Sequence, residues 1–525
     1  MDRQQVGSSF RSPPHIVALI AVFFGAIDLT VVATILPSMI SDLGINTADI
    51  DRYIWVVNSY LIAYVVSIPL VGRLTDLVGV RSVFVAALLV FSVGSIWCAS
   101  AGSLQDLVIA RAIQGFGGGA LLPIALAVAA RSFEGAQRAQ AVGAVGALDT
   151  LGWVSGPVYG AIVANRLTFV DEPWRLVFWI NVPLALMLFP AARLLPSHTQ
   201  DSTSRAQVRS LLGKLDIAGF VLLTIFLVSA NMALASGGEI GATAGRGLRA
   251  FGGTPNPLAD RIPLLLATAS SALIVFAWRI RSGHDTFLPR LLLANAAYRA
   301  SLAANALLGT VLMTGMVNVP IIVALVESGS NTGVRSAILL APFTLTIAIS
   351  SIIAGRLLGT WSTSQITSIG LVLTVFGNLS VFPLLKFADY GWMSIGLGIA
   401  GAGIGLALTP LSATALDSSA STSYGVAAAT LLVFRLLGMT IGISLLTSLG
   451  VQRLQVLTGE LEPIMQTDAE STAEYLIRQQ EYIVTRAIPL GVQVVQETFV
   501  VSAILSACAL IAARRLSSIR ATSST

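Results

Sequence analysis

Apolar residues in this chain gather into long runs with short polar breaks between them. They do not alternate as they would on half-buried strands or single-faced soluble helices. The runs cover 15–37, 53–72, 82–101, 106–128, 139–163, 176–195, 216–236, 263–281, 298–325, 336–358, 366–385, 391–413, 423–450 and 495–513. A helix needs roughly 20 mostly apolar residues to cross the hydrocarbon of a bilayer, and each run is about that long. The pattern predicts an all-α membrane protein with fourteen transmembrane helices. It falls into two six-helix bundles with two helices inserted between them.

Polar segments divide the chain further. Residues 1–14 form a polar start, 15–195 a first six-helix bundle, and 196–297 a charged linker with the inserted helix pair. A second six-helix bundle spans 298–513, and 514–525 is a basic tail. Within the second bundle, 451–494 is expected as a long outer loop with a charged helical stretch from Asp468 to Arg486. Both a small extracytoplasmic cap and a plain solvated connector fit that stretch. The start leads into a run too long for a signal core, so the first helix is expected to be retained.

Composition agrees with the runs. Of 525 residues, 55% are hydrophobic and 11% charged, and the mean hydropathy is +0.82. Soluble domains carry about 25% charged residues, so this chain could not cover a water-facing surface. The net charge of +5 comes from Lys and Arg scattered over short loops, which argues against nucleic acid as a partner. More of these residues fall on the side of the two termini, so both termini are expected in the cytoplasm and the protein in the inner membrane. The two cysteines, Cys98 and Cys508, and three distant histidines offer neither a disulfide framework nor metal-ligand spacing. There is no phosphate-binding G-x-x-x-x-G-K-[ST] loop. No metal, no organic cofactor and no enzymatic activity are expected.

Charged and small residues then mark particular places. After the second run stands Gly72-Arg73-Leu74-Thr75-Asp76-Leu77-Val78-Gly79-Val80-Arg81. Its glycines allow a tight turn, and Asp76 with the flanking arginines can make ion pairs between helix ends in one conformation and break them in another. The fourth run carries Arg111, Gln114 and Gly115. Arg111 is either a buried functional charge or a side chain reaching the interface. The fifth run carries Gly152, Gly156, Pro157 and Gly160, whose small side chains let helices approach closely.

These motifs resemble the major facilitator superfamily, with its G-x-L-x-D-x-x-G-x-R loop, R-x-x-Q-G-x-G helix four and G-x-x-x-G-P-x-x-G helix five. The run from Asp28 to Pro37, with Trp174-Arg175, Phe178, Asn181, Pro183 and Leu215-Asp216, is similar to the fourteen-helix drug:proton antiporter group. The stretches Ala120–Ile124, Gly156–Gly160, Phe178–Pro183 and Pro410–Thr414 resemble the mycobacterial exporters of triacylglycerides and drugs that work with a lipoprotein. The resemblance implies alternating access, export in exchange for protons, and a lipoprotein partner outside the cytoplasm. It also implies functional positions at Asp28, Asp149 and Arg435.

Those three residues each fall near the middle of a run. Burial favours a neutral carboxyl and a nearby guanidinium favours the charged one, while arginine itself stays charged. A carboxylate that exchanges arginine for water can therefore bind and release a proton. Asp28 or Asp149 is expected to carry the coupling proton, with both acids competing for Arg435; the plainer alternative is a static buried pair. The expected cavity walls are apolar, with Met313, Met316 and Met439 and a few polar marks at Asn58, Gln114, Asn305 and Asn318. Such walls suit hydrophobic or amphiphilic cargo. Drug export, lipid export and a non-transporting sensor all remain open, and a monomer is expected.

Overall fold

The computed structural model describes residues 12–43, 50–166, 171–196, 215–243, 261–282, 288–326, 332–384, 390–420, 423–459, 461 and 471–516. Each apolar run is mostly helical where it is described. The first bundle holds α1 (Pro13–Asp42), α2 (Ile50–Val78), α3 (Val80–Ser100), α4 (Leu104–Gly118), α5 (Leu121–Ser132), α6 (Gly135–Arg166) and α7 (Trp174–Ala191). The inserted pair is α8 (Ile217–Thr243) and α9 (Ile262–Arg281). The second bundle holds α10 (Ala296–Val326), α11 (Thr332–Leu357), α12 (Thr363–Leu384), α13 (Tyr390–Asp417), α14 (Tyr424–Gly459), α15 (Thr472–Tyr482) and α16 (Ile488–Ala513).

Among the described residues, thirteen helices are long and apolar enough to cross a membrane. The fourteenth expected helix, α6, is 32 residues long but is not one of these thirteen. It carries Asp149 and many glycines, and it packs against α1 and α11. A helix covered by its neighbours does not need a lipid-like surface.

Two other expectations change. The fourth run is a pair of helices, α4 and α5, separated at Gly119–Ala120. A Cβ on Gly119 would lie 2.4 Å from the carbonyl oxygen of Tyr64 and 2.4 Å from Ser67 Oγ, so close approach to α2 holds the break in place. The expected loop at 451–494 is mostly helix where it is described. Helix α14 runs on to Gly459, and α15 continues through a π-helical stretch, Ile483–Ala487, into α16. Its start is fixed by a reciprocal cap, with Ser471 accepting from the Glu474 backbone N–H and the Glu474 side chain accepting from the Ser471 N–H. At about 1.5 Å per residue, the 36 residues of α14 are far longer than the hydrocarbon core, about 30 Å thick. Helix α14 is thus long enough to project beyond the hydrocarbon, and its Arg453 pairs with Glu497 of α16 at 2.8 Å.

The inserted pair is fastened at both depths. Asp216 accepts from the Gly219 N–H at 2.8 Å, capping the first turn of α8, and pairs with Arg279 in the last turn of α9 at 2.8 Å. Deeper in the membrane, Thr440 of α14 donates to Asn231 of α8 at 2.9 Å. Helix α8 also touches α2, so the pair lies along the α2–α14 side of the contact between the bundles.

Candidate functional site

The site is built from three charged clusters on helices that meet at the bundle interface. The first lies inside the first bundle. Helix α6 presses its small residues onto α1: a Cβ on Gly152 would lie 2.4 Å from Ala26 Cβ, and one on Gly156 only 2.0 Å from Thr30 Oγ1. Gly160 follows one turn later against Val31, and Pro157 lies within the helix without ending it. This contact holds α1 and its Asp28 in register. On the other side, Gly115 brings α4 against α2, where an added Cβ would meet the Tyr60 carbonyl oxygen at 2.4 Å.

Between them, Asp28 and Arg111 form an ion pair at 3.0 Å, both side chains 1% exposed. Asp28 also accepts from Gln114 Nε2 at 2.8 Å and from Asn181 Nδ2 at 2.7 Å. Gln114 in turn accepts from Arg111 at 2.7 Å and donates to Ser95 at 2.9 Å. The Arg111 guanidinium lies 4.0 Å from the centroid of the Tyr60 ring. Arg111 is thus a buried partner, and it does not reach for the interface. Its pairing also overturns the expected competition for Arg435, because Asp28 has its own arginine.

The second cluster crosses between the bundles. Asp149 of α6 and Arg435 of α14 pair at 3.3 Å, with side-chain exposures of 8% and 13%. Helix α14 is held here by close packing on α10, where Gly309 faces the Arg435 carbonyl. One turn along α6, Trp153 packs against the apolar core of the second bundle.

The third cluster latches one end of the interface. Asp76 accepts from the backbone N–H groups of Gly425 and Val426, each at 2.9 Å. These are among the unpaired donors of the first turn of α14, where a carboxylate is favoured by both hydrogen bonding and the helix dipole. Gly72 allows this approach, since a Cβ there would meet the Gly425 carbonyl oxygen at 2.5 Å. Gly79 has φ +88°, a conformation that suits glycine and turns α2 into α3. The cation on Asp76 is Arg131 at 3.0 Å, rather than a flanking arginine of its own loop. Arg81 instead donates to the carbonyls of Arg193 and Leu195, tying α3 to the end of α7. Arg73 lies in the last turns of α2, two turns or less from the bound Asp76.

Beside this latch is a second one that the sequence motifs did not mark. Arg138 at the start of α6 pairs with Asp417 at the end of α13 at 2.7 Å and donates to the Tyr424 hydroxyl at 3.1 Å. Arg131 and Arg138 read in the sequence as ordinary loop cations. The only hint was Asp417, an acid closing an apolar run. Close packing continues alongside: a Cβ on Gly143 of α6 would lie 2.5 Å from the Ser351 carbonyl oxygen of α11, and Gly355 faces Ala139.

The polar marks expected on a cavity wall are placed differently. Asn305 is buried and donates to the Leu431 carbonyl at 2.8 Å, while Asn318 donates to Thr498 at 2.7 Å. Both bind neighbouring helices of the second bundle. Among the described residues, no group of His, Cys, Asp and Glu could hold a metal ion.

Comparison with known proteins agrees with this architecture. Residues 18–443 match the Major Facilitator Superfamily. A protein of Mycolicibacterium smegmatis named triacylglyceride transporter is 32% identical over 449 residues, covering 83% of this chain and 75% of that one. A Mycobacterium tuberculosis protein of the same name is 30% identical over 462 residues, covering 84% and 83%. In three dimensions the chain is similar to the human organic anion transporter MFSD10, with TM-score 0.57 and 14% identity, over 94% of this chain and 99% of the other. It is also similar to the proton:xylose symporter XylE, with TM-score 0.56 and 13% identity over 94% of each. The motif loop on Asp76, the buried Arg111 cluster and the glycine face of α6 therefore stand in a multi-pass membrane transporter, and the chain belongs to the major facilitator superfamily.

Proposed function

We propose that this protein exports hydrophobic cargo in exchange for protons, and that its cargo class is a lipid of the triacylglyceride kind. The observation that carries the mechanism is the Asp149–Arg435 pair, which joins helices of different bundles at 3.3 Å. Alternating access requires the bundles to move against each other, so this pair must be remade in every cycle. A carboxylate that loses its guanidinium in a low-dielectric slot is stabilised by a proton. Asp149 is also less sealed than Asp28, with side-chain exposures of 8% and 1%, which suits a group that water must reach. The coupling proton rides on Asp149, and Arg435 expels it when the pair re-forms.

The lipid class is supported by the names of the mycobacterial relatives and by the projecting α14–α16 hairpin. Outside the bilayer that hairpin exposes Val456, Leu476, Ile477 and Val484. An exposed apolar surface in water is suited to passing a lipid to a lipoprotein partner. The second reading, amphiphilic drugs by the same route, rests on the run from Asp28 to Pro37 with Trp174, Arg175 and Asn181, through which the chain resembles the fourteen-helix drug:proton antiporters. The Asp76 end is taken as the cytoplasmic one, because the excess of Lys and Arg falls in the loops on that side. With that end latched, the structure is read as facing outward, in the inner membrane, as a monomer.

The test uses purified protein in liposomes carrying a fluorescent triacylglyceride and, in parallel, a lipophilic cationic dye. A pH gradient should drive movement of the lipid, and a protonophore should abolish it. Transport indifferent to the gradient removes the coupling. Gradient-driven transport of the dye alone transfers the assignment to drugs.

A further inference from the structure

Two tyrosines of α2 span the space between the two acid–arginine pairs. Gly115 and Gly119 let α4 press on the backbone at Tyr60 and Tyr64, where an added Cβ would meet each carbonyl oxygen at 2.4 Å. Gly118 leaves room for the Tyr60 hydroxyl, since a Cβ there would lie 2.5 Å from it. The two rings are stacked with centroids 6.0 Å apart, and the Arg111 guanidinium covers the Tyr60 ring at 4.0 Å. One end of the stack is thus clamped by the first cluster.

The other end reaches the second cluster. Asp76 meets Gly425 and Val426, and Gly72 meets Gly425 and Ala429, so α2 and α14 run in opposite directions. Continued for two turns, about 12 Å at 1.5 Å per residue, this register brings Tyr64 level with Arg435. Along α6, Gly152 lies at Ala26 and Gly156 at Thr30, which sets Asp149 more than one turn nearer the Asp76 end than Asp28. The step from Tyr60 to Tyr64 covers about the same depth. Tyr64 accordingly interacts electrostatically with both Asp149 and Arg435.

We propose that the Tyr64 hydroxyl is the hydrogen-bond donor that replaces Arg435 on Asp149 when the bundles part. This rests on the reading that Asp149 carries the coupling proton. Tyr64 and Asp149 belong to the first bundle and stay together, whereas Arg435 leaves with α14. A carboxylate left bare in a low-dielectric slot holds its proton tightly, and a donor to the charged form weakens that hold. The phenol keeps its own proton throughout, and the coupling proton passes between Asp149 and water. Trp153 stands one turn along α6, and Asp28 of α1 is already tied to Arg111. The other helices packed on α6, namely α5, α7, α11 and α13, carry charge only near their ends, at Arg131, Arg175, Arg335, Arg356 and Asp417. Tyr64 is therefore the side chain placed to take over from Arg435.

The experiment uses the full-length protein in liposomes with a hydrophobic carbodiimide, which modifies protonated carboxyls within the membrane. Modification of Asp149 is read by mass spectrometry across a pH series. In Arg435→Leu the guanidinium is permanently gone, as in the parted state. Adding Tyr64→Phe should move the midpoint of modification up by about one to two pH units, the size expected for a hydrogen bond to a charged group. Tyr298→Phe removes another buried hydroxyl, one without a partner in the second bundle, and should leave the midpoint in place. Should the double variant not yield monodisperse protein, the same series on Tyr64→Phe alone gives the comparison. In gradient-driven lipid export, Tyr64→Phe should shift the pH profile in the same direction. A midpoint that Tyr64→Phe leaves in place, or that Tyr298→Phe moves as far, overturns the inference while the coupling reading stands. Normal export by Asp149→Asn instead removes the coupling reading, and the role of Tyr64 with it.

Discussion

The two acid–arginine pairs of this transporter are alike in composition and opposite in placement. Asp28 and Arg111 lie on α1 and α4 of the same bundle, with every visible oxygen of Asp28 occupied and Gln114 and Asn181 closing the cluster. Asp149 and Arg435 lie on helices of different bundles, at a longer distance and with more exposure. The same chemistry therefore does two jobs. Inside a bundle it ties helices together and changes only if the bundle itself distorts. Across the interface it becomes a contact that bundle motion must break, and so a place where a proton can be exchanged for an arginine.

That contrast is broken or sharpened by substitution. The largest effect is expected from Arg111→Leu, which strands a buried carboxylate. Removing one partner of a buried pair costs about 3–5 kcal/mol, so folded yield and melting temperature in detergent should fall sharply. If the variant melts like the parent, the first pair is not holding the bundle. Next comes Asp149→Asn, which keeps shape while removing the titrating group. Gradient-driven export should drop at least about tenfold, equivalent to about 1.4 kcal/mol in the barrier, with little change in melting. Should Asp149→Asn transport normally while a folded Asp28→Asn does not, the roles of the two acids are exchanged.

Smaller effects test the latch. Asp76→Ala removes the cap on α14, about 1 kcal/mol, together with the Arg131 pair, and should shift the balance between the two facing states by at least roughly fivefold. Accessibility of a cysteine placed in the α6–α11 contact, measured by thiol labelling from each side, reads that shift. Gly79→Ala forces a side chain into φ 88°, ψ 156°, a region kept for glycine, at about 1–3 kcal/mol, and should lower melting without changing cargo preference. The smallest change belongs to Asp216→Asn, which keeps the α8 cap and an oxygen facing the partly exposed Arg279 while removing the negative charge. The pair lies on the inserted helices, not across the contact that moves between the bundles, and transport should stay near the parent rate.

Much of this could be read from residues in a row. The helix positions follow from run length, and the exceptions have local causes. One is the Gly117-Gly118-Gly119 run at which α4 ends before the break to α5; another is the apolar Ile488–Val494 segment, which extends α16 into what reads as loop. Asp28, Asp149 and Arg435 stood out because charge is costly in an apolar run. Arg435 read as a partner for either acid, but nothing in the spacing chose 149 over 28 or said that position 111 faces 28. Arg138 and Asp417 were illegible for the same reason. Each is ordinary alone, and only the fold brings residues 279 positions apart to 2.7 Å.

What the linear chain determines here is what single segments can do by themselves. A run of apolar residues must cross lipid as a helix, because its backbone has no other hydrogen-bond partners there, and small residues at helical spacing must mark close contacts. What only the tertiary structure decides is partnership: which arginine neutralises which acid, and which helix start Asp76 caps. The reason is that an ion pair needs about 3 Å separation, and two residues on different rigid helices reach that distance only through the packing of the whole.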